Sequence, residues 1–141
     1  MAERIVTIHQ PQYLPWLGLV QKICDSDVFV VLDTVPYSRN YFYNRNRVRT
    51  AQGWTWLTIP VLTKGKFGQP FSEVAICDDT DWRKKHWATL RQSYAKAPHF
   101  RAYELSLAEF YTRPYARLLD AACDSMRLTL NLLGVEREIL L

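Results

Sequence analysis

His9, Gln10, Gln12 and Tyr13 crowd into a short stretch between the apolar run Ile5–Ile8 and Pro15. An imidazole with a reference pKa of about 6.5 can act as a general base or bind a phosphate near neutral pH. Gln10, Gln12 and Tyr13 add neutral donors and acceptors, which suit a sugar or amide ligand. The same residue types also stabilise loops, and the sequence leaves both roles open. Asp33 closes a second apolar run, Val28–Leu32. There it is placed to orient His9, to bind ribose hydroxyls or to hold a metal, and equally to form a turn.

A second group of residues suggests anion binding. Arg45, Arg47 and Arg49 alternate, so on a strand they share one face. Three guanidiniums in a row suit bidentate contact with phosphate or carboxylate. Asn44 and Asn46 lie among them, and Tyr37, Tyr41 and Tyr43 precede them and are expected to line the same pocket. Lys64 and Lys66 flank Gly65, without the GxxxxGK[ST] spacing of a phosphate-binding loop. They read as a flap over a phosphate or, more simply, as a hairpin tip. From residue 34 to residue 72 there is no acid, while six Lys and Arg side chains fall in that span. The whole chain carries only +4. A basic block with no acidic neighbours keeps its field and favours an anionic partner.

The elements that must position these groups follow from hydrophobic period. Residues 4–8 read as a strand. Trp16, Leu17, Leu19, Val20, Ile23 and Cys24 form one stripe of an amphipathic helix, with Pro15 in its first turn and Trp16 packed in the core. The continuous run Val28–Leu32 fits a strand covered on both faces, as in a parallel sheet. Strand, helix and strand within about 30 residues make a βαβ unit. Both strands then end on one edge, which brings His9 and Asp33 to the same side of the sheet. In open α/β sheets ligands bind outside such strand ends.

Residues 46–50 and 54–61 predict a hairpin turned by Ala51-Gln52-Gly53, with Pro60 at a strand end. Residues 71–76 predict a further short strand. Helices are expected over residues 82–96, started by Asp78-Asp79-Thr80-Asp81, over 102–111, and from Tyr115 to Leu133 with Gly134 as C-cap. His86 falls on the first of these, where a lone histidine is more often a satisfied core residue. The fold class is therefore α/β: a small, mainly parallel sheet with a βαβ start, an inserted antiparallel hairpin and C-terminal helices. At 141 residues a single domain, 1–141, is expected. The apolar tail after Gly134 reads as an element cut off mid-course, so more chain is expected to follow.

Composition excludes several classes. Apolar content of 48% and charged content of 23% are those of an ordinary globular protein. No apolar run reaches the roughly 20 residues of a membrane span. No signal-peptide layout opens the chain, so a cytoplasmic protein is expected. The three cysteines are scattered with no CxxC pair, and no metal site is indicated. Cys24 and Cys123 fall on helical apolar faces, as buried thiols.

The string Ile8-His9-Gln10-Pro11-Gln12-Tyr13-Leu14-Pro15-Trp16-Leu17-Gly18 resembles the WbqC-like family of bacterial proteins. The likeness continues through residues 26–33, Asn44-Arg45-Asn46-Arg47-Val48 and residues 53–61. Trp82, Lys85-His86, Tyr94 and Ala97-Pro98-His99-Phe100 also fit the family pattern. The resemblance implies a gene neighbourhood of surface-polysaccharide synthesis, O-antigen above all. It implies a transferase moving an amino-acyl, glycyl or similar group onto a sugar or nucleotide-sugar, and a longer chain of which this is the N-terminal part.

Three functions follow, in order. The first is a transferase in which the arginines hold a phosphorylated donor or nucleotide-sugar and His9, helped by Asp33, removes a proton from the attacking group. The substrate-binding set expected for it is Gln10, Gln12, Tyr13, Tyr37, Asn44, Arg45, Asn46, Arg49 and Lys64. An acyl donor or carrier is a further partner. The second is a binding module without chemistry, for an anionic sugar, nucleotide or carrier. The third is nucleic-acid binding, from basic residues interleaved with aromatics. The sequence leaves any cofactor unknown.

Overall fold

The computed structural model describes residues 3–141. β1 (Val6–His9), α1 (Leu17–Cys24) and β2 (Val28–Val31) form the expected βαβ start. β1 and β2 pair in parallel, with His9 beside Val31. The expected hairpin follows as β3 (Arg45–Thr50) and β4 (Gly53–Thr58), paired antiparallel. Three helices come next: α2 (Trp82–Tyr94), α3 (Phe100–Thr112) and α4 (Leu118–Leu132). β5 (Glu138–Leu140) lies parallel to β2, giving the order β1-β2-β5. The tail after Gly134 is thus a third strand.

Local chemistry accounts for the helix ends. The Asp81 carboxylate accepts from the Lys84 N–H and caps α2. Gly134, at φ +68°, closes α4 in a Schellman motif. Its N–H bonds the Asn131 carbonyl at 3.1 Å, and the Val135 N–H bonds the Leu130 carbonyl at 2.9 Å.

Phe29 and Val31 of β2, Leu19, Val20 and Ile23 of α1, Leu57 of β4 and the apolar stripe of α4 share one buried cluster. The sheet therefore buries the Phe29 face against α1 and α4. The opposite face is not covered as the sequence predicts. Val6, Ile8 and Leu140, one register step from the buried row, stay exposed among the described residues.

Two further expectations are corrected. Trp16 is not a core residue: it is the N-cap of α1, more than half exposed, with Pro15 one residue outside the helix. Its indole lies across the helix start, where a Cβ on Gly18 would come within 2.2 Å of the ring. The run 71–76 is not a strand. It opens with a single 3-10 turn, Phe71–Glu73, which buries Phe71 and Val74, and it ends in isolated bridges from Ala75 to Arg117 and from Ile76 to Val61.

Candidate functional site

The strand-exit edge places His9 and Asp33 on the same side, as the parallel pairing requires. His9 is half-buried at the end of β1, and its Nδ1–H donates to the Gln10 carbonyl at 2.8 Å. The His9 carbonyl accepts from the Leu32 N–H at 2.9 Å, and the Asp33 carbonyl accepts from the Ser72 N–H at 2.9 Å. No hydrogen bond or ion pair joins the two side chains among the described residues. Neither is in contact with Arg45, Arg49 or Lys64 by hydrogen bond. Cys123 of α4 is buried, and burial pushes its thiol up to about 11, so it stays protonated near neutral pH.

The loop that follows is folded into the protein. Tyr13 is fully buried, and its hydroxyl lies 2.9 Å from His86 Nδ1 and 2.5 Å from the Tyr111 hydroxyl. Burial lowers the His86 pKa to about 4, against the opposing pull of the Thr58 backbone. His86 is the satisfied core histidine the sequence suggested. Burial holds both Tyr13 and Tyr111 well above the ordinary tyrosine range.

Ser125 of α4, with no exposed surface, staples the same loop. Its hydroxyl accepts from the Leu14 N–H at 3.0 Å and lies 2.9 Å from the Ala122 carbonyl and 3.3 Å from that of Gln12. The Asn46 side-chain amide donates to the Leu14 carbonyl. Leu14 is held from both sides in the left-handed region, at φ +47°. Such a conformation persists in a leucine only where its surroundings enforce it. Gln12 is buried too, with Oε1 unpartnered. Gln12 and Tyr13 thus face the interior, whereas Gln10 is half-exposed. Tyr111 and Ser125 give no sequence signal, because they meet this loop from about a hundred residues away.

The acid-free block folds into a different kind of surface. Arg45, Arg47 and Arg49 share a face with Thr58, Trp56 and Trp54, their cross-strand partners. The Arg45 guanidinium stands 4.3 Å from the Trp56 ring centre, and that of Arg47 stands 5.0 Å from Trp54 and 5.4 Å from Trp56. Guanidiniums and indoles alternate, joined by cation–π attraction. Arg45 also donates to the Asn40 carbonyl at 2.8 Å. Side chains satisfy two of the β3 amides. The Arg47 N–H bonds the Asn46 side chain at 2.7 Å and the Arg49 N–H bonds the Tyr94 hydroxyl at 2.9 Å. Asn44 is buried, bonding the Ile59 backbone through side chain and carbonyl. Asn44 and Asn46 therefore have structural partners, while Arg47 and Arg49 stay exposed beside a groove of about 470 Å³.

A larger groove, about 770 Å³, runs between the segment carrying Tyr37 and Arg39 and the loop carrying Lys66 and Phe67. Backbone pairing of Tyr37 N–H to the Gln69 carbonyl, 2.9 Å, fixes one wall. Tyr37 packs against Phe71 and Tyr43, and Tyr41 stacks on Tyr43. Lys64 is exposed nearby in the chain but does not line this groove. Among the described residues none of Arg39, Arg45, Arg47, Arg49, Lys64 and Lys66 has an acidic partner. A groove of about 540 Å³ between α2 and α3 differs: Asp78 and Asp81 offset Arg83 and Lys84 there. Among the described residues no three His, Cys, Asp or Glu side chains gather in a metal-holding group. No helix there is long and apolar enough to cross a membrane.

This α/β scaffold, with an enclosed His-Gln-Pro loop and an open basic-aromatic hairpin, belongs to the WbqC-like protein family, which the chain matches over residues 10–141. An uncharacterized protein of Mycobacterium tuberculosis is 37% identical over 135 residues. The match covers 90% of this chain and 58% of that protein, so the chain spans less than two thirds of its relative's length. No solved structure matches.

Proposed function

We propose that this chain recognises a phosphorylated or otherwise anionic sugar derivative, as part of a transferase of bacterial surface-polysaccharide synthesis. The observation that carries the reading is the acid-free block: six cations without acidic partners among the described residues, set among exposed aromatics, four of them lining two grooves. Arg39 and Lys66, with Arg47 and Arg49, hold the anion. Aromatic rings offer apolar faces to a base. Gln10 and His9 stand at the strand exits, and His9 with Asp33 is the pair proposed for proton transfer to and from the attacking group. The acceptor of a glycyl or other amino-acyl group, a nucleotide-sugar, is the substrate this reading favours. The chain is read as a single α/β domain forming the N-terminal part of a longer cytoplasmic protein.

A second reading, binding without chemistry, is favoured by His9 itself. Its Nδ1–H donates to the adjoining Gln10 carbonyl, which leaves Nε2 as the free lone pair, but among the described residues no carboxylate bonds the ring to assist it as a base. The two readings part on substitution: His9→Gln stops turnover and leaves affinity intact in an enzyme, and changes nothing in a binder. The shared premise is tested by melting temperature against nucleotide-sugars, sugar phosphates and acyl donors, since a ligand of the native state raises it. An anionic sugar ligand is expected to raise it, and Arg39→Ala with Lys66→Ala to remove the shift. No shift with any anionic compound would contradict the reading.

A further inference from the structure

We infer that the groove beside Tyr37 takes a nucleoside phosphate, its base between Tyr37 and Phe67 and its phosphates on Arg39 and Lys66. The inference rests on the anionic-ligand reading above and assigns the nucleotide part of that ligand to one groove and to named contacts. Phe67 is the starting observation. Its exposure is 107% of the reference value, so the whole ring stands in water at the lip of the groove. A phenylalanine so placed forgoes all the burial that ordinarily justifies its ring.

The backbone holds it there. Gly65 and Gly68 both sit at φ +72°, with nothing within 4 Å of where a Cβ would stand. Backbone conformation, and not crowding, therefore calls for glycine at these two positions. The Lys66 N–H closes the loop on the Thr63 carbonyl at 3.2 Å. The facing wall is fixed, because Tyr37 is paired to Gln69 and its ring packs edge-on to Phe71, 5.9 Å between centres.

The lining thus divides into two parts. Tyr37 and Phe67 offer aromatic faces to a planar ring, and Thr63 and Gln69 offer polar groups to its edge. Arg39 and Lys66 supply positive charge with no acid in their block. A nucleotide has the same two parts, whereas phosphate or a sugar phosphate occupies only the cationic one. The volume lies within the roughly 300–1,000 Å³ of small-molecule sites.

Calorimetric titration with UDP, ADP, glucose 1-phosphate and inorganic phosphate tests this on the whole chain. The nucleotides are expected to bind about tenfold more tightly than glucose 1-phosphate, from base–aromatic stacking. Phe67→Ala is expected to weaken nucleotide binding about tenfold, to leave glucose 1-phosphate binding unchanged, and to be rescued by Phe67→Trp. Lys66→Ala is expected to weaken every anion. Because Phe67 touches nothing, an unchanged melting temperature should show the variant folded. If Phe67→Ala binds nucleotide as the parent does while Lys66→Ala does not, the nucleotide site is wrong and the anionic-ligand reading stands. If no anion binds the parent chain, both fall.

Discussion

The loop joining β1 to α1 and the block from residue 34 to residue 72 carry the same kinds of side chain, amides, tyrosines, tryptophans and bases. The structure treats them in opposite ways. In the loop, polar groups are bonded inside the protein, Tyr13 to His86 and Tyr111 and Leu14 to Ser125 and Asn46, with the buried Gln12 Oε1 as the exception. In the block, the Arg47 and Arg49 amides have partners while Arg39, Arg47, Arg49, Lys64 and Lys66 are exposed without counter-charges among the described residues. A polar side chain that has found its partners holds a fold together. One that has not is available to a ligand. The family string around Tyr13 is therefore chiefly a folding signal.

Substitutions should separate the two regions. Tyr13→Ala removes a fully buried ring and is expected to cost ~3–5 kcal/mol in denaturant unfolding, the range for large-to-small core changes. An outcome under ~1 kcal/mol would mean that the loop is not built into the core as described. Acid should act on the same cluster through His86. Its pKa is about 4 folded against 6.5 unfolded, so the unfolded chain binds the proton first as pH falls. Stability is then full above pH 6.5 and declines toward pH 4, by on the order of 3 kcal/mol. His86→Gln should flatten that part of the unfolding profile.

Ser125→Ala strips the Leu14 N–H of its acceptor and is expected to cost ~1–3 kcal/mol, measured in the same way. At the other extreme, Arg47→Ala with Arg49→Ala should change stability by less than ~0.5 kcal/mol each and still weaken anion binding. A large loss of stability there would show that the basic face is structural as well, and would erase the contrast.

Much of the scaffold is legible in the sequence, because hydrophobic period and capping chemistry are local. The runs before His9 and before Asp33, the glycine-turned hairpin and the cap at Gly134 all carry their signal within a few residues. What escapes is non-local. β5 finds β2 more than a hundred residues back. The stretch 71–76 has no long ladder partner and opens in a 3-10 turn. Trp16 sits on the helical stripe by count but precedes the first helical residue, so the period does not apply to it. The same division holds at the candidate site. The charge of the basic block is readable by counting, whereas the burial of Gln12 and Tyr13 depends on α3 and α4 closing over them.

The most direct test is an amide chemical-shift titration of the whole chain with a nucleotide-sugar. Shifts are predicted at residues 37–39 and 63–69, with smaller ones at 47–54 and none at Gln12, Tyr13 or Ser125. Shifts centred on residues 12–14 with the basic block silent would contradict the account.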